Sequence, residues 1–374
     1  MDRVNNPYHD EKVFWPYHKD KALTILRGEL PSPSLVEVDP TGEACNQACP
    51  HCCFGSSPHR KMVLVDVEML LGFLKEVYEC GTYAFELVGG GEPTNHPRII
   101  DIIRGISLMS NGDSERPHIG LVTNGVRLDR VFPVAELLDF VRVSLDAPDA
   151  TVYNPAHGLD SGSNHFDKVI GNVKSLVEIV GGERVRIGYL VVPPYNHGRE
   201  TIRDVVRLAD NLGVEHIAFR PAFLADTKTD RVVWKEIAEV VCEVKREYRD
   251  GFVLGGIGGS WDYAVGEKSH PTGLCRTRPL VLTIKADGTI PHCFLFRERL
   301  AERPAIGHIS DGFKEIWFSE RHRKLALLAE RSHCPEFCKL YRADSALGRL
   351  ENIIKSSQDI PETADSEVDN PHFI

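Results

Sequence analysis

Residues 45–52 read CNQACPHC, and this short stretch decides how the rest of the chain is interpreted. It places Cys45, Cys49 and Cys52 in C-x3-C-x2-C spacing soon after an apolar, strand-like run at residues 35–38. Three thiolates in one loop can hold three irons of a four-iron cluster and leave the fourth iron open to another ligand. The loop therefore predicts an iron–sulfur site just beyond the end of the first strand.

Outside this loop, apolar runs typical of strands alternate with stretches of helical periodicity. The predicted strands cover residues 35–38, 85–88, 119–122, 141–145, 185–192 and 216–220. The predicted helices cover residues 66–78, 98–109, 134–138, 166–179, 201–212 and 231–248. Six strand–helix units in series predict parallel strands and right-handed crossovers, and so an α/β fold with a partial (β/α)6 TIM-like barrel. Such a fold carries its chemistry at the C-terminal ends of the strands, where the cysteine loop lies.

A glycine-rich turn follows the second predicted strand. Residues 89–93 read GGGEP, in which the glycines allow close approach to the backbone and Glu92 offers a carboxylate to an ammonium group. Such a turn alone is more often only a turn. Together with the cysteine loop one strand earlier, it makes residues 34–225 resemble the radical S-adenosylmethionine (radical SAM) superfamily.

This resemblance implies a cofactor and a reaction. The amino and carboxylate groups of S-adenosylmethionine (SAM) chelate the open iron of the first cluster. The reduced cluster cleaves SAM to methionine and a 5′-deoxyadenosyl radical, which takes a hydrogen atom from the substrate. The resemblance further implies that the three cysteines ligate this cluster, and that Gly90, Gly91 and Glu92 hold the methionyl ammonium group.

Four other side chains are candidate contacts within the same resemblance. It implies that His51 lies near the adenine, that Asn124 and Ser144 meet the ribose or the carboxylate, and that Arg220 meets the carboxylate or the substrate. A plain turn at Asn124 and a structural ion pair at Arg220 are the alternatives. The alternative for the cysteine loop is a zinc ion, with His51 or His59 as its fourth ligand.

A second group of cysteines lies late in the chain, at Cys275, Cys293, Cys334 and Cys338. A predicted β-hairpin over residues 280–290, with an Asp-Gly turn, returns Cys275 and Cys293 to one end of a ribbon. The later pair can complete a four-thiolate site. This pattern resembles the twitch domain of radical SAM enzymes, the shorter relative of the SPASM domain, and implies an auxiliary [4Fe-4S] cluster. A four-cysteine zinc ribbon is the alternative.

The change of pattern after the sixth unit predicts a small α+β domain behind the barrel. Further helices are expected at residues 312–318, 321–330 and 339–355. The predicted boundaries are an N-terminal arm at 1–33, the barrel at 34–250, a linker at 251–273, the twitch domain at 274–340, and a C-terminal helix and tail at 341–374.

The auxiliary site bears on the reaction, because four cysteines for four irons leave no iron open. Such a cluster is expected to carry electrons, which favours a radical SAM oxidoreductase that converts an alcohol to a ketone. The expected substrate is a small polar molecule, sugar-like or an aminocyclitol. An epimerase would instead return a hydrogen atom from a thiol, for which Cys53 is the candidate. Epimerisation of a sugar or peptide and peptide crosslinking remain alternatives.

Composition limits the partners. A net charge of −10 argues against a nucleic-acid backbone or an anionic membrane as the main partner. No apolar run approaches the roughly 18 residues of a membrane span, and the first residues have no signal-peptide pattern. Ten cysteines in separate groups favour metal or redox chemistry in a reducing cytoplasm. A small-molecule substrate and an electron donor such as flavodoxin or ferredoxin are the expected partners.

Overall fold

The computed structural model describes residues 16–54, 62–110, 116–222, 229–249, 252–253, 260–266, 273–297, 304–327, 334, 338 and 340–357. The strands are β1 Leu35–Val38, β2 Ala84–Leu87, β3 His118–Thr123, β4 Phe140–Ser144, β5 Val185–Val191, β6 His216–Pro221, β7 Val281–Ile284, β8 Thr289–Ile290 and β9 Gly307–His308. The helices are α1 Pro16–Leu26, α2 Val67–Glu79, α3 Ile99–Ser107, α4 Ala150–Ala156, α5 His165–Val180, α6 Arg199–Asn211, α7 Arg231–Glu247, α8 Ser260–Ala264, α9 Phe313–Trp317, α10 Glu320–Leu327 and α11 Tyr341–Lys355.

Seven strands form one parallel sheet in the order β6-β5-β4-β3-β2-β1-β7. Strands β1 to β6 follow one another across it in chain order, as expected of successive strand–helix units. The order ends at β6 and β7, so the barrel is open. The predicted α/β fold with a partial TIM-like barrel is confirmed.

Helix α2 illustrates why the predicted helices form. The Asp66 carboxylate caps its first turn by accepting a hydrogen bond from the backbone N–H of Met69 at 2.7 Å. Its apolar residues, including Leu70 and Leu74, recur at helical spacing and are fully buried against the sheet. No helix within the described ranges is long and apolar enough to cross a membrane.

In strands β4 to β6, one face of the sheet is buried in apolar packing and the other face carries polar side chains. In β5, Ile187 and Tyr189 are buried, whereas the alternating residues Gly188 and Leu190 are half-buried and line a cavity. Strand β1 differs, because all four of its residues are buried. This alternation places polar side chains on a concave inner wall, where they can contact a ligand.

The predicted hairpin over residues 280–290 forms with a different pairing. The chain does reverse, because the Lys285 N–H donates to the Thr289 carbonyl at 2.9 Å and Gly288 adopts a φ of +82°, which favours glycine. However, β7 lies parallel to β1, with Leu35 opposite Val281, and the small antiparallel pair joins β8 to β9. Strand β8 has only two residues, and the apolar β7 is buried at the edge of the main sheet instead of pairing with β8.

Two segments predicted to be irregular contain helices. The predicted arm includes α1, whose Ala22 is buried against α11, and the predicted linker includes α8, whose Trp261 is buried. Tertiary contacts stabilise both, since short helices are marginal alone. The helix predicted at residues 134–138 is instead the end of a 3-10 helix at Leu128–Leu137, with Leu138 as the residue that follows it. The remaining calls for residues 1–15, most of 251–273 and 358–374 lie outside the described residues.

Candidate active site

The cysteine loop leaves β1 through a turn organised by Asp39. One oxygen of the buried Asp39 carboxylate accepts hydrogen bonds from the N–H groups of Thr41, at 3.2 Å, and Gly42, at 3.0 Å. The other oxygen pairs with the guanidinium of Arg297, which comes from the C-terminal part of the chain. The carboxylate therefore fixes where the loop starts.

The loop forms one wall of a cavity of about 320 Å³ at the C-terminal ends of the strands. Every residue predicted for the SAM site lines this cavity, namely Cys45, Cys49, His51, Cys52, Cys53, Gly90, Gly91, Glu92, Asn124, Ser144 and Arg220. They come from five different strand ends, and the parallel order of the sheet brings them together. Their individual roles remain predictions.

The glycine-rich turn touches the cysteine loop directly. The Glu92 N–H donates to the Ala44 carbonyl at 2.9 Å, and a Cβ atom at Gly91 would lie 2.1 Å from that same oxygen. A Cβ atom at Gly90 would lie 2.7 Å from the Gly42 carbonyl oxygen. Any side chain at these two positions would separate the turn from the loop, so both glycines are required for this approach.

Glu92 is fully enclosed in hydrogen bonds. Its Oε1 accepts from the Thr94 N–H and hydroxyl, at 3.0 and 2.7 Å, and from the Thr123 hydroxyl at 2.6 Å. Its Oε2 accepts from the Asn124 N–H at 2.7 Å. Burial raises the pKa of Glu92, whereas these donors lower it. Because a carboxylate has about four acceptor sites, Oε2 keeps capacity for an ammonium donor.

Asn124 joins this carboxylate to the cysteine loop. Its side-chain Nδ2 donates to Asn46 Oδ1 at 2.7 Å and lies 3.6 Å from Cys45 Sγ. The predicted contact of Asn124 with a ribose or carboxylate is not tested by these bonds. The backbone of Asn124 binds Glu92 and its side chain binds Asn46, so these hydrogen bonds hold Asn124 beside the cysteine loop.

Two residues that sequence reasoning missed, Tyr153 in α4 and His157 directly after it, hold the other side of the loop. His157 Nδ1 lies 3.3 Å from Cys49 Sγ, and its Nε2 lies 3.2 Å from the Leu145 carbonyl. Gln47 donates to the Tyr153 hydroxyl at 2.6 Å. Burial lowers the pKa of His157 to about 3, so the imidazole is neutral. The available signal was the pair of aromatic-type residues, Tyr153 and His157, at helical spacing after the fourth strand.

His51 and the loop thiols share this buried environment. Burial lowers the pKa of His51 to about 4. Burial also raises the pKa of Cys45 and of Cys49, and the neighbouring loop cysteines raise both further. Such thiols remain protonated at neutral pH unless a metal binds them, because a coordinated thiol is deprotonated by the charge of the metal.

The donor set fits an iron–sulfur cluster. The three thiols face one cavity and are close enough to alter one another's pKa. In the described part of the chain, no three Cys, His, Asp or Glu side chains are close enough to share a single metal ion. The fit therefore rests on the shared cavity and on the thiol chemistry.

The late cysteines also gather, near the start of β7. Cys293 is half-buried, the protein packed around its thiol raises its pKa to about 12, and Cys338 and Cys275 add to that increase. Cys334 is half-buried, like the other three. The Arg278 guanidinium acts in the opposite direction and lowers the pKa of Cys293. A cation beside these thiols suits the net negative charge of a thiolate-bound cluster.

Sequence models of two protein families match the chain. The radical SAM superfamily matches residues 40–219, and SPASM, an iron–sulfur cluster-binding domain, matches residues 275–340. The chain carries a radical SAM domain followed by a SPASM domain. Its cofactors are SAM and two [4Fe-4S] clusters, one that binds SAM and one auxiliary, as predicted.

Named relatives of this radical SAM chain match only part of it. A probable GTP 3′,8-cyclase from Saccharolobus islandicus (strain M.14.25 / Kamchatka #1) is 29% identical over 175 residues, 46% of this chain and 52% of that protein. A GTP 3′,8-cyclase from Corynebacterium glutamicum is 30% identical over 173 residues, 45% of this chain and 43% of that protein. The radical SAM chain thus spans about half the length of the curated relatives it matches.

The structure of Streptococcus suis SuiB bound to the precursor peptide SuiA is similar over most of the chain. The TM-score is 0.62 at 14% identity, covering 87% of this chain and 79% of that one. At such low identity the similarity concerns the fold alone. It agrees with the parallel sheet and open barrel described above.

Proposed function

We propose that this radical SAM chain oxidises a small polar substrate, sugar-like or an aminocyclitol, from an alcohol to a ketone. When reduced, the SAM-binding cluster supplies the electron that cleaves SAM to methionine and the 5′-deoxyadenosyl radical, which abstracts a substrate hydrogen. Cys45, Cys49 and Cys52 would hold that cluster. The turn at residues 90–92 would hold the methionyl ammonium, with Glu92 Oε2 as its acceptor.

The observation that carries the proposal is the link between the two cysteine sites. Cys293 begins the turn Phe294–Phe296, and the next residue, Arg297, pairs with Asp39 and lies 4.7 Å from the ring centroid of Phe54. Phe54 lines the SAM cavity. Four residues span at most about 14 Å, so the auxiliary site lies near the wall of that cavity. A nearby electron acceptor supports an oxidation, in which the substrate radical must lose an electron to that acceptor and its hydroxyl proton to a base or to water.

A second outcome, epimerisation, is favoured by one residue. Cys53 is exposed and lines the same cavity, where a thiol could return a hydrogen atom to the substrate. The names of the relatives point to a nucleotide, and the SuiB complex contains a peptide. Sugar, aminocyclitol, nucleotide and peptide substrates therefore all belong in the assay.

The proposed partners follow from the same chemistry. An electron donor such as flavodoxin or ferredoxin would reduce the SAM-binding cluster. A cytoplasmic location is consistent with ten cysteines in a reducing environment and with a net charge of −10.

The test uses anaerobically reconstituted full-length protein with SAM, dithionite and deuterated candidate substrates. Deuterium in 5′-deoxyadenosine would identify the substrate, and a ketone product would identify the oxidation. Cys45→Ala should abolish SAM cleavage. Cys80→Ala is the matched control, because Cys80 ends α2 at the opposite end of the strands, and it should cleave SAM normally.

The auxiliary cluster is tested by Cys293→Ala. This variant should still cleave SAM but should lose most of the oxidised product, because the electron from the substrate radical has no acceptor. An unchanged yield of ketone would contradict the electron-acceptor role. Cys53→Ala separates the two outcomes, since it should remove an epimerised product but not a ketone.

A further inference from the structure

Two arginines on the inner wall of the barrel face the same cavity as the cysteine loop. Arg142 lies in the middle of β4, and Arg220 lies near the end of β6. Both line the cavity. Sequence reasoning singled out Arg220 but missed Arg142, although a charged residue alternating with buried apolar residues was visible in the fourth strand. Their alternation with buried neighbours places them on the polar, concave side of the sheet.

A glycine gives the Arg142 side chain its path toward the cavity. The register pairs Arg142 with Arg186 and Ser144 with Gly188 on the neighbouring strand. A Cβ atom at Gly188 would lie 3.5 Å from Cγ and 3.6 Å from Cδ of Arg142. The aliphatic part of the Arg142 side chain therefore lies across Gly188. Gly188 is two residues nearer than Arg186 to the C-terminal ends of the strands, and Arg220 lies at that same end.

The two guanidinium groups repel each other. Arg142 is the largest influence that lowers the pKa of Arg220, to about 9, followed by burial, while Glu86 acts in the opposite direction. Arg220 is exposed to the cavity but protein surrounds its other sides, and it stays cationic at neutral pH. Among the residues that the structure describes, neither Arg142 nor Arg220 has a hydrogen-bond or ion-pair partner. An anion between them would relieve this repulsion.

We propose that Arg142 and Arg220 bind an anionic group of the substrate, a carboxylate or a phosphate. This inference rests on the proposed function, in which the cavity holds SAM and a small substrate together. Guanidinium groups offer planar, paired donors that match both kinds of anion. Among the proposed substrates, this favours a sugar-like molecule that carries a carboxylate or phosphate over an unmodified aminocyclitol, whose own ammonium group two arginines would repel.

The position of the pair favours the substrate over SAM as the source of the anion. The turn that would hold the methionyl group follows β2, and three strands separate β2 from β6. Neighbouring strands lie about 4.8 Å apart, so along the curved sheet the turn after β2 is roughly 10 Å from the strand of Arg142 and roughly 19 Å from that of Arg220. Arg142 and Arg220 therefore lie on a part of the cavity wall that a methionyl group bound at the turn after β2 would leave free.

The experiment measures binding of inorganic phosphate and of succinate to the reconstituted protein by calorimetry, first without SAM and then with saturating SAM, and with no reductant. At least one probe should bind, and the better one identifies the anion as phosphate or carboxylate. Arg142→Gln and Arg220→Gln should each weaken that binding at least about tenfold, and Arg220→Lys should weaken it less.

Arg186→Gln is the matched control. Arg186 lies beside Arg142 in the register, but its guanidinium lies 5.1 Å from the ring centroid of Phe140 and it does not line the cavity. Arg186 also lowers the pKa of Arg220 but is the weakest of the influences on it, so this variant should change binding by no more than about threefold. An equal loss of probe binding in all three glutamine variants would overturn the proposed site, because binding would then depend only on the total positive charge of this region.

Two further results would also overturn the inference. One is the absence of binding by both probes, and the other is binding that disappears when SAM is added, which would assign the pair to the SAM carboxylate. SAM cleavage with dithionite is scored separately. If the glutamine variants still form 5′-deoxyadenosine, SAM cleavage, the first step of the proposed function, does not depend on the arginine pair whatever the probes show. If wild-type protein forms none but binds phosphate through both arginines, only the proposed function fails.

Discussion

Gly91 lies where the glycine-rich turn meets the cysteine loop, and it leaves no room for a side chain. A Cβ atom there would lie 2.1 Å from the Ala44 carbonyl oxygen, a backbone atom that cannot rotate away. Gly91→Ala should therefore lower the free energy of unfolding by about 1–3 kcal/mol and weaken SAM binding. Thermal unfolding and equilibrium dialysis with labelled SAM measure the two effects.

Gly72→Ala is the control for this substitution. Gly72 lies on the exposed side of α2 with no atom within 4 Å of an added Cβ. Alanine is the better helix former, so this variant should gain up to about 1 kcal/mol and bind SAM normally. Equal stability of the two variants would show that the turn and the loop are not held as closely as described.

Asp139 should make the stability of the protein depend on pH in the acid range. Burial alone would raise the pKa of Asp139, but hydrogen bonds from His118, Arg116 and the Ile119 N–H lower it to about 2. A carboxyl whose pKa falls on folding contributes stability above its unfolded pKa of about 3.9, and that stability is lost as the pH falls through the folded value.

Asp139→Asn should therefore lower the free energy of unfolding by about 2 kcal/mol at pH 7, and the difference from wild type should shrink between pH 4 and pH 2. Urea unfolding across this range measures it. Asp101→Asn, at an exposed surface pair with Arg98, should stay within about 0.5 kcal/mol of wild type throughout. A difference for Asp139→Asn that does not change with pH would contradict this assignment.

At the scale of single residues, the sequence identified side chains that local motifs mark. The cysteine spacing and the turn at residues 89–93 are local signals, and their residues do line one cavity. His157 and Arg142 were missed because their contacts depend on the fold. His157 reaches Cys49 from a helix more than a hundred positions later, and Arg142 reaches the cavity through space left by Gly188 on another strand.

The buried pair of Asp39 and Arg297 joins two elements that are far apart in the chain. Asp39 is 1% exposed and Arg297 is 9% exposed, so removing one partner leaves a charge in a poorly solvated site. Arg297→Gln and Asp39→Asn should each cost about 3–5 kcal/mol. The double variant should lose less than the sum by about 0.5–3 kcal/mol, because neither charge is then left alone.

Guanidinium chloride unfolding of the four proteins measures this coupling, and iron content at the two sites shows whether the pair also positions the cysteine loop. Additive losses would mean that the two side chains do not stabilise each other. Exposed pairs such as Arg98 with Glu68 provide the comparison, since solvent screening should leave them little measurable coupling.

At the scale of elements, periodicity predicted the six barrel units well and failed where tertiary contacts decide. Helix α1 was missed because its apolar residues, Ala22 among them, are explained only by the packing of α11 against them. Helix α4 was missed because it is short and contains Pro155. Strand β7 was predicted as a strand, but no local pattern distinguishes β8 from β1 as its partner.

The position of β7 has a consequence for the whole molecule. The SPASM match begins at residue 275, yet β7 belongs to the sheet of the radical SAM domain and pairs with β1 along four residues. Trp317 of α9 also donates to the Pro31 carbonyl, just before β1, at 2.7 Å. The two domains therefore share a hydrophobic core, and we expect them to unfold together.

Leu282→Ala tests this shared core. Leu282 is 1% exposed in β7, opposite Val36, and its truncation should cost about 2–5 kcal/mol. Hydrogen exchange should show the same loss of protection in β5 of the barrel as in β7.

Leu347→Ala provides a matched control, because Leu347 is fully buried in a separate cluster formed by α1 and α11. It should increase exchange in those two helices and leave β5 nearly unchanged. Faster exchange in β7 with unchanged β5 would show that the auxiliary domain unfolds by itself, and the electron path between the two cysteine sites would then depend on a contact that can open.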